Sequence, residues 1–145
     1  MDEQSIQVDE KSKKRFLRRY QCNLSCISRL EKKLVLLDER ITTIKSPNYS
    51  GMPRGGVAVT VEDLIADKDD IERRIEKLRV KGQELKRLLY EAIDTLEDPR
   101  HGEVLEAHFI EGLNIEDIAD EMGYSERHVY TLYKDAIRKF SVPIQ

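Results

Sequence analysis

From Asp9 to Lys45 the chain has neither glycine nor proline, and its apolar residues recur at the alternating three- and four-residue spacing of a heptad. Phe16, Tyr20, Ile27, Leu30, Leu34, Leu37, Ile41 and Ile44 take the a and d positions, with Asn23 the one polar member. That spacing keeps a single face of a helix apolar along its length. Such a helix reaches roughly 50–55 Å at 1.5 Å per residue and cannot bury its own seam, so it needs a helical partner. Pro47, Gly51, Pro53, Gly55 and Gly56 then break the pattern. A second heptad follows through Val61, Leu64, Ile71, Ile75, Leu78, Leu85, Leu89, Ala92 and Leu96, interrupted by Lys68 and Gly82. Thr60 with Asp63 has the spacing of an N-terminal cap for it.

Two apolar helices of similar length joined by one loop read as a long antiparallel, coiled-coil-like hairpin. Pairing between chains would give a dimer instead, and the sequence leaves monomer and homodimer both open. Gly82 falls on the seam, where it permits either a close approach of helices or a kink. Glu97-Asp98-Pro99 ends or redirects the second helix, because the residue before a proline is pushed out of the helical region. The expected organisation is therefore all-α: a flexible polar N-terminus over 1–8, a helical hairpin over 9–97 with its loop at 46–59, and a separate domain over 98–145.

Composition limits the functions open to such a chain. The formal net charge is −3, so nucleic acid would be held by local basic surface and not by bulk charge. Cys22 and Cys26 lie one helical turn apart, but a zinc site needs two more ligands and His101, His108 and His128 are the only histidines. Reduced thiols with no metal and no cofactor are expected. Asp67, Asp69 and Asp70 lack the following glycine of a calcium loop. With no phosphate-cradling loop and no nucleophile beside a histidine, an enzyme is not expected. No apolar signal core opens the chain and no run approaches the ~20 apolar residues of a membrane span. A cytoplasmic protein is the expectation.

The last third of the chain carries the most specific pattern. A shorter helix over about Arg100–Glu111 presents Val104, Leu105, Ala107, His108 and Phe109, and Gly112 ends it. The segment NIEDIADEMGYSERHVYTLYKDAIRKF then meets the physical requirements of a helix-turn-helix. Ala119 is the small residue that lets two helices cross, and Gly123, four residues on, suits a turn with positive φ. Ile118, Val129 and Leu132 form the motif core with Ile115 and Met122, and Ser125 stands where it caps the second helix.

In that motif the second helix enters the major groove of double-stranded DNA. Ser125, Glu126, Arg127, Tyr130, Thr131 and Lys134 face away from the packed side and are the expected base contacts, with Arg127 suited to a bidentate pair with guanine. His128, Arg138 and Lys139 are expected at phosphates. Lys11, Lys13, Lys14, Arg15, Arg18 and Arg19 concentrate positive charge near the N-terminus, and Lys14, Arg15, Arg18 and Arg19 are read as a second phosphate-contacting set. Glu116, Asp117, Asp120 and Glu121 on the first motif helix should face away from DNA. With acids outnumbering bases beyond Pro99, binding should be weak and fall quickly with salt. Met52-Pro53-Arg54 in the loop is either a plain connector or an arm that reaches DNA or a protein.

The stretch LEDPRHGEVLEAHFIEGLNIEDIADEMGYSERHVYTLYKDAIRKF resembles the region-four helix-turn-helix of bacterial sigma factors. Val104-Leu105, Glu111-Gly112-Leu113, Ile118-Ala119, Gly123 and Ser125 carry the likeness. The wider layout is similar to sigma-like late-gene activators of phages of Gram-positive bacteria, of the ArpU and RinA type. The resemblance implies a promoter-binding regulator that works with bacterial RNA polymerase at the nucleoid. The sigma domains that melt DNA and bind the polymerase clamp are missing, which implies an activator or accessory factor and not a complete sigma factor. Gly102 stands where the pattern has arginine. The rival expectations are a DNA-recognising phage packaging or assembly subunit and a polymerase-binding repressor.

Overall fold

The structure is a computed structural model that describes residues 3–45 and 59–143. It is all-α, with five α-helices and no strand among the described residues. Helix α1 spans Glu3–Lys45 and α2 Val61–Ile93. Helix α3, Pro99–Leu105, runs directly into a π-helical turn, Glu106–Ile110, and α4, Ile115–Met122, and α5, Glu126–Lys139, complete the chain. Helix α1 begins ahead of the expected Asp9, because Gln4 to Val8 contain no residue that stops a helix. The loop reading of Met52-Pro53-Arg54 lies outside the described residues.

Helix α2 starts as its sequence requires. The Thr60 hydroxyl accepts from the Asp63 amide at 3.1 Å, and the Asp63 carboxylate accepts from the Thr60 amide at 3.2 Å. Each end of this reciprocal pair satisfies a donor that the first helical turn leaves free.

The chain divides into two compact units, Met1–Cys22 with Gly82–Gln145, and Asn23–Lys81. This differs from a boundary at residues 97 and 98. The start of α1 and the end of α2 belong with the last three helices because they supply part of one core. Phe16, Leu17, Leu89, Ala92 and Ile93 are buried with Leu105, Phe109, Ile110, Ala136, Ile137 and Phe140. The rings of Phe16 and Phe140 lie 6.0 Å apart. Leu17 is fully buried although it lies off the heptad. A helix that serves a multi-helix core needs a wider apolar stripe than a coiled-coil seam.

Pro99 sits in the first turn of α3, where its missing amide costs nothing. Asp98 precedes it, and its carboxylate accepts from the Arg100 amide at 2.9 Å. The Arg100 guanidinium lies 3.0 Å from the same carboxylate, and these bonds hold the Asp98 carboxyl down to about 2. The π-turn beyond α3 adds a residue to one helical turn, which lets Ala107, Phe109 and Ile110 all be buried. Its last carbonyls are satisfied from α1, since the Gln21 amide donates to the carbonyls of Phe109 at 3.2 Å and Ile110 at 3.0 Å.

Within Asn23–Lys81 the two helices lie side by side. Lys68 pairs with Asp38 at 2.8 Å, Arg79 with Glu31 at 3.0 Å, and the Asn23 amide donates to the Leu78 carbonyl at 3.0 Å. Early residues of α1 meet late residues of α2, so the helices are antiparallel here. Ile27, Leu30 and Ile75 are buried between them, with Leu34, Ile71 and Leu78 packed against that cluster.

Candidate nucleic-acid interface

The joint between α4 and α5 is built from caps. Asn114 opens α4 by accepting from the Asp117 amide at 2.8 Å. The helix ends at Gly123, whose φ of 70° and ψ of 30° lie in the left-handed region. The Ala119 carbonyl accepts from the Gly123 amide and, at 3.1 Å, from the Tyr124 amide. These bonds close a Schellman-type end, which an L side chain would strain. Two residues on, Ser125 takes an extended conformation and its hydroxyl oxygen accepts from the His128 amide at 3.1 Å, opening α5. A glycine end and a serine start, so closely spaced, turn the chain sharply without a loop.

Behind this joint Ile118, Ala119, Val129 and Leu132 are buried in one cluster with Val104 and Ala107. Leu113, Ile115, Met122 and Tyr133 pack against it. Ile115, Ile118, Ala119, Met122, Val129 and Leu132 lie together here, while Gly123 forms the exposed turn between the two helices. Ala119 is 4% exposed, which is the close approach its small side chain allows.

The outer side of α5 is open. Ser125, Glu126, Arg127, His128, Tyr130, Thr131, Lys134, Arg138 and Lys139 are all exposed. Arg127 and Lys134 form no ion pair among the described residues, whereas Arg138 lies 3.6 Å from Asp135. The Lys134 ammonium lies over the Tyr130 ring, 4.9 Å from its centre, and Tyr130 stacks on Tyr133 at 6.4 Å. The His128 ring meets the Tyr124 ring edge-on at 4.7 Å. The Thr131 hydroxyl donates to the Arg127 carbonyl at 3.1 Å, which leaves its oxygen to accept from outside.

The basic residues near the N-terminus divide into different environments. Lys14 lines a cleft of about 250 Å³ together with Tyr130, Tyr133, Lys134 and Arg138, with Glu10 as its one acid. Arg18 lies near enough to Tyr133 to oppose the upward shift that burial imposes on that phenol. Arg19 instead lies over the Phe16 ring at 5.4 Å, and Arg15 is exposed. Lys13 belongs to none of these surfaces. It is 8% exposed and donates to the Arg138 carbonyl at 2.8 Å, a role that its place in a run of charge does not reveal.

The acids of α4, Glu116, Asp117, Asp120 and Glu121, are all exposed. No group of three or more His, Cys, Asp or Glu able to hold a metal ion occurs among the described residues. Cys22 and Cys26 are free thiols. No described helix is long and apolar enough to cross a membrane.

A family described as a protein of unknown function, DUF1492, matches residues 43–141. No curated protein and no solved structure matches the chain.

Proposed function

The chain belongs to the DUF1492 family, and on that premise we propose that α4, the Gly123 turn and α5 are a helix-turn-helix that grips double-stranded promoter DNA, in one chain with a long antiparallel helical hairpin. The observation that carries the reading is the division of α5 into a buried side, Val129, Leu132, Ala136 and Ile137, and an open side that holds Arg127, Thr131 and Lys134. A helix packed on one side and uncovered on the other fits the major groove, and its N-terminal residues meet base edges there. Arg127 is the candidate reader of guanine, with Ser125, Glu126, Tyr130 and Thr131 around it. Lys134 reaches a base edge or a phosphate, and His128, Arg138 and Lys139 meet phosphates.

In this reading the protein is a phage or prophage regulator that acts at a promoter with bacterial RNA polymerase, in the host cytoplasm at the nucleoid. The exposed acids of α4 favour a second reading, in which that face meets a basic surface of polymerase and the protein represses. The test is selection of bound duplexes from a random pool with the wild-type chain and with Arg127→Ala. One enriched sequence is expected, with preference relaxed at one base pair by about 1–3 kcal/mol in the variant. Enrichment of no sequence by the wild-type chain defeats the base-reading claim.

A further inference from the structure

Among the described residues of Asn23–Lys81 the seam is half covered. Leu34, Leu37, Ile41 and Ile44 on α1 and Val61, Ile71 and Leu78 on α2 remain partly exposed, and Leu36 is 60% exposed. Among the described residues of this unit, two helices meet along one line with no further layer on either side of it. Such a pair completes its core by stacking on a further layer. One side of this pair is a cleft of about 500 Å³ with an apolar floor of Leu36, Leu37 and Ile71. Lys33 and Arg40 line its α1 edge, while Asp67, Asp70 and Arg74 line its α2 edge, with Asp70 already paired to Arg73. Lys33, Arg40 and Asp67 form no ion pair among the described residues.

We propose that this cleft is the contact face of a homodimer, with the same unit of a second copy laid face to face upon it and a two-fold axis parallel to the helices. Charge selects both the occupant and the axis. A partner of one charge sign would leave one edge of the cleft unmatched, whereas a second copy brings both. An axis perpendicular to the helices stacks α1 on α1 and opposes Lys33 and Arg40 to cations of the same edge. The parallel axis stacks α1 on the second copy's α2 and keeps every residue at its own level. The Lys68–Asp38 ion pair marks one such level, and a further half-turn along α1 sets Arg40 level with Asp67. Each Arg40 then meets the second copy's Asp67 across a floor of Leu36, Leu37 and Ile71. Lys33 and Arg74, near one level on opposite edges, are the cations this arrangement leaves mismatched, and Arg40 with Asp67 carries the match. Such a dimer forms whether or not DNA is bound.

Sedimentation equilibrium of the full chain tests it, with Arg40→Asp and Asp67→Arg as variants whose helicity is checked by circular dichroism. The wild-type chain is expected to be a dimer. Each reversal should raise the dissociation constant about a hundredfold, roughly tenfold for each of two symmetry-related pairs. An equimolar mixture of the two variants restores opposite charges at both positions and should recover wild-type association. Recovery separates this face from pairing within one chain, which mixing does not repair. A monomeric wild-type chain, variants that associate as the wild type does, or a mixture that stays dissociated would each overturn the proposal.

Discussion

The ammonium of Lys13 donates to the backbone carbonyl of Arg138 at 2.8 Å, tying α1 to the last turn of α5. The final carbonyls of a helix have no partner within it, and a cation there also meets the negative end of the helix dipole. Asp9, 3.3 Å from the same ammonium and one turn earlier on α1, helps to hold it.

Lys13→Met keeps the length of the side chain and removes the donor. The first unit is expected to lose about 1.5–3 kcal/mol in urea unfolding, the range of a hydrogen bond from a charged group. The salt dependence of DNA binding should not change, since this ammonium is turned inward. A variant as stable as the wild type would mean that water serves the Arg138 carbonyl equally well.

Gly123→Ala separates conformation from space at the α4–α5 turn. A Cβ there would meet no atom within 4 Å, so crowding adds nothing to the cost. What remains is the left-handed backbone, at about 1–2 kcal/mol for an L residue. Gly123→Asn should lose less, because asparagine tolerates that region better. Equal stability of all three chains in chemical denaturation would show that the turn does not need its positive φ.

That turn was legible in the sequence because it depends on local residue types at fixed spacing. Ala119, Gly123 and Ser125 each have a requirement that neighbours in the chain satisfy. The Thr60–Asp63 cap was legible for the same reason. Leu17, Lys13 and Gln21 were not. Their roles come from residues far along the chain, Phe109, Ile110, Phe140 and the Arg138 carbonyl, and a heptad count cannot see which helices share a core. The π-turn at Glu106–Ile110 was hidden too, because it is fixed by tertiary packing and by the Gln21 bonds and has no composition of its own. Among the exposed basic residues the sequence supplied candidates without sorting them by direction.

Glu106 offers a pH-dependent test. Burial raises its carboxyl above the ordinary 4.5, and the nearby charges of Asp94, Glu111 and Glu103 add to the shift. A carboxyl raised in the folded state binds its proton more tightly there than in the unfolded chain. Its ionisation therefore opposes folding, fully above the folded value and not at all below about 4.5. Glu106→Gln should raise the thermal midpoint at pH 7, and its advantage should shrink as pH falls through the carboxylate range. An advantage unchanged at acid pH would point to packing and not to charge.

The positions of the N-terminal cations lead to a salt-dependence prediction. Successive helical residues are about 100° apart, so Arg18 lies about 40° from Lys14, while Arg15 and Arg19 lie about 100° and 140° away. Lys14 shares a cleft with Lys134 and Arg138, and Arg18 is close to Tyr133 in the same region. Cations gathered this closely repel one another until an anion joins them, and a phosphate backbone crossing α5 would supply it. Each phosphate contact adds about 0.9 to the slope of log affinity against log salt. The double variant Lys14→Gln with Arg18→Gln should lower that slope by about 2, and Arg15→Gln with Arg19→Gln should leave it near the wild-type value. Equal slopes in both double variants, with wild-type binding intact, would confine phosphate contact to α5 itself, and to the proposed contacts of Arg138 and Lys139.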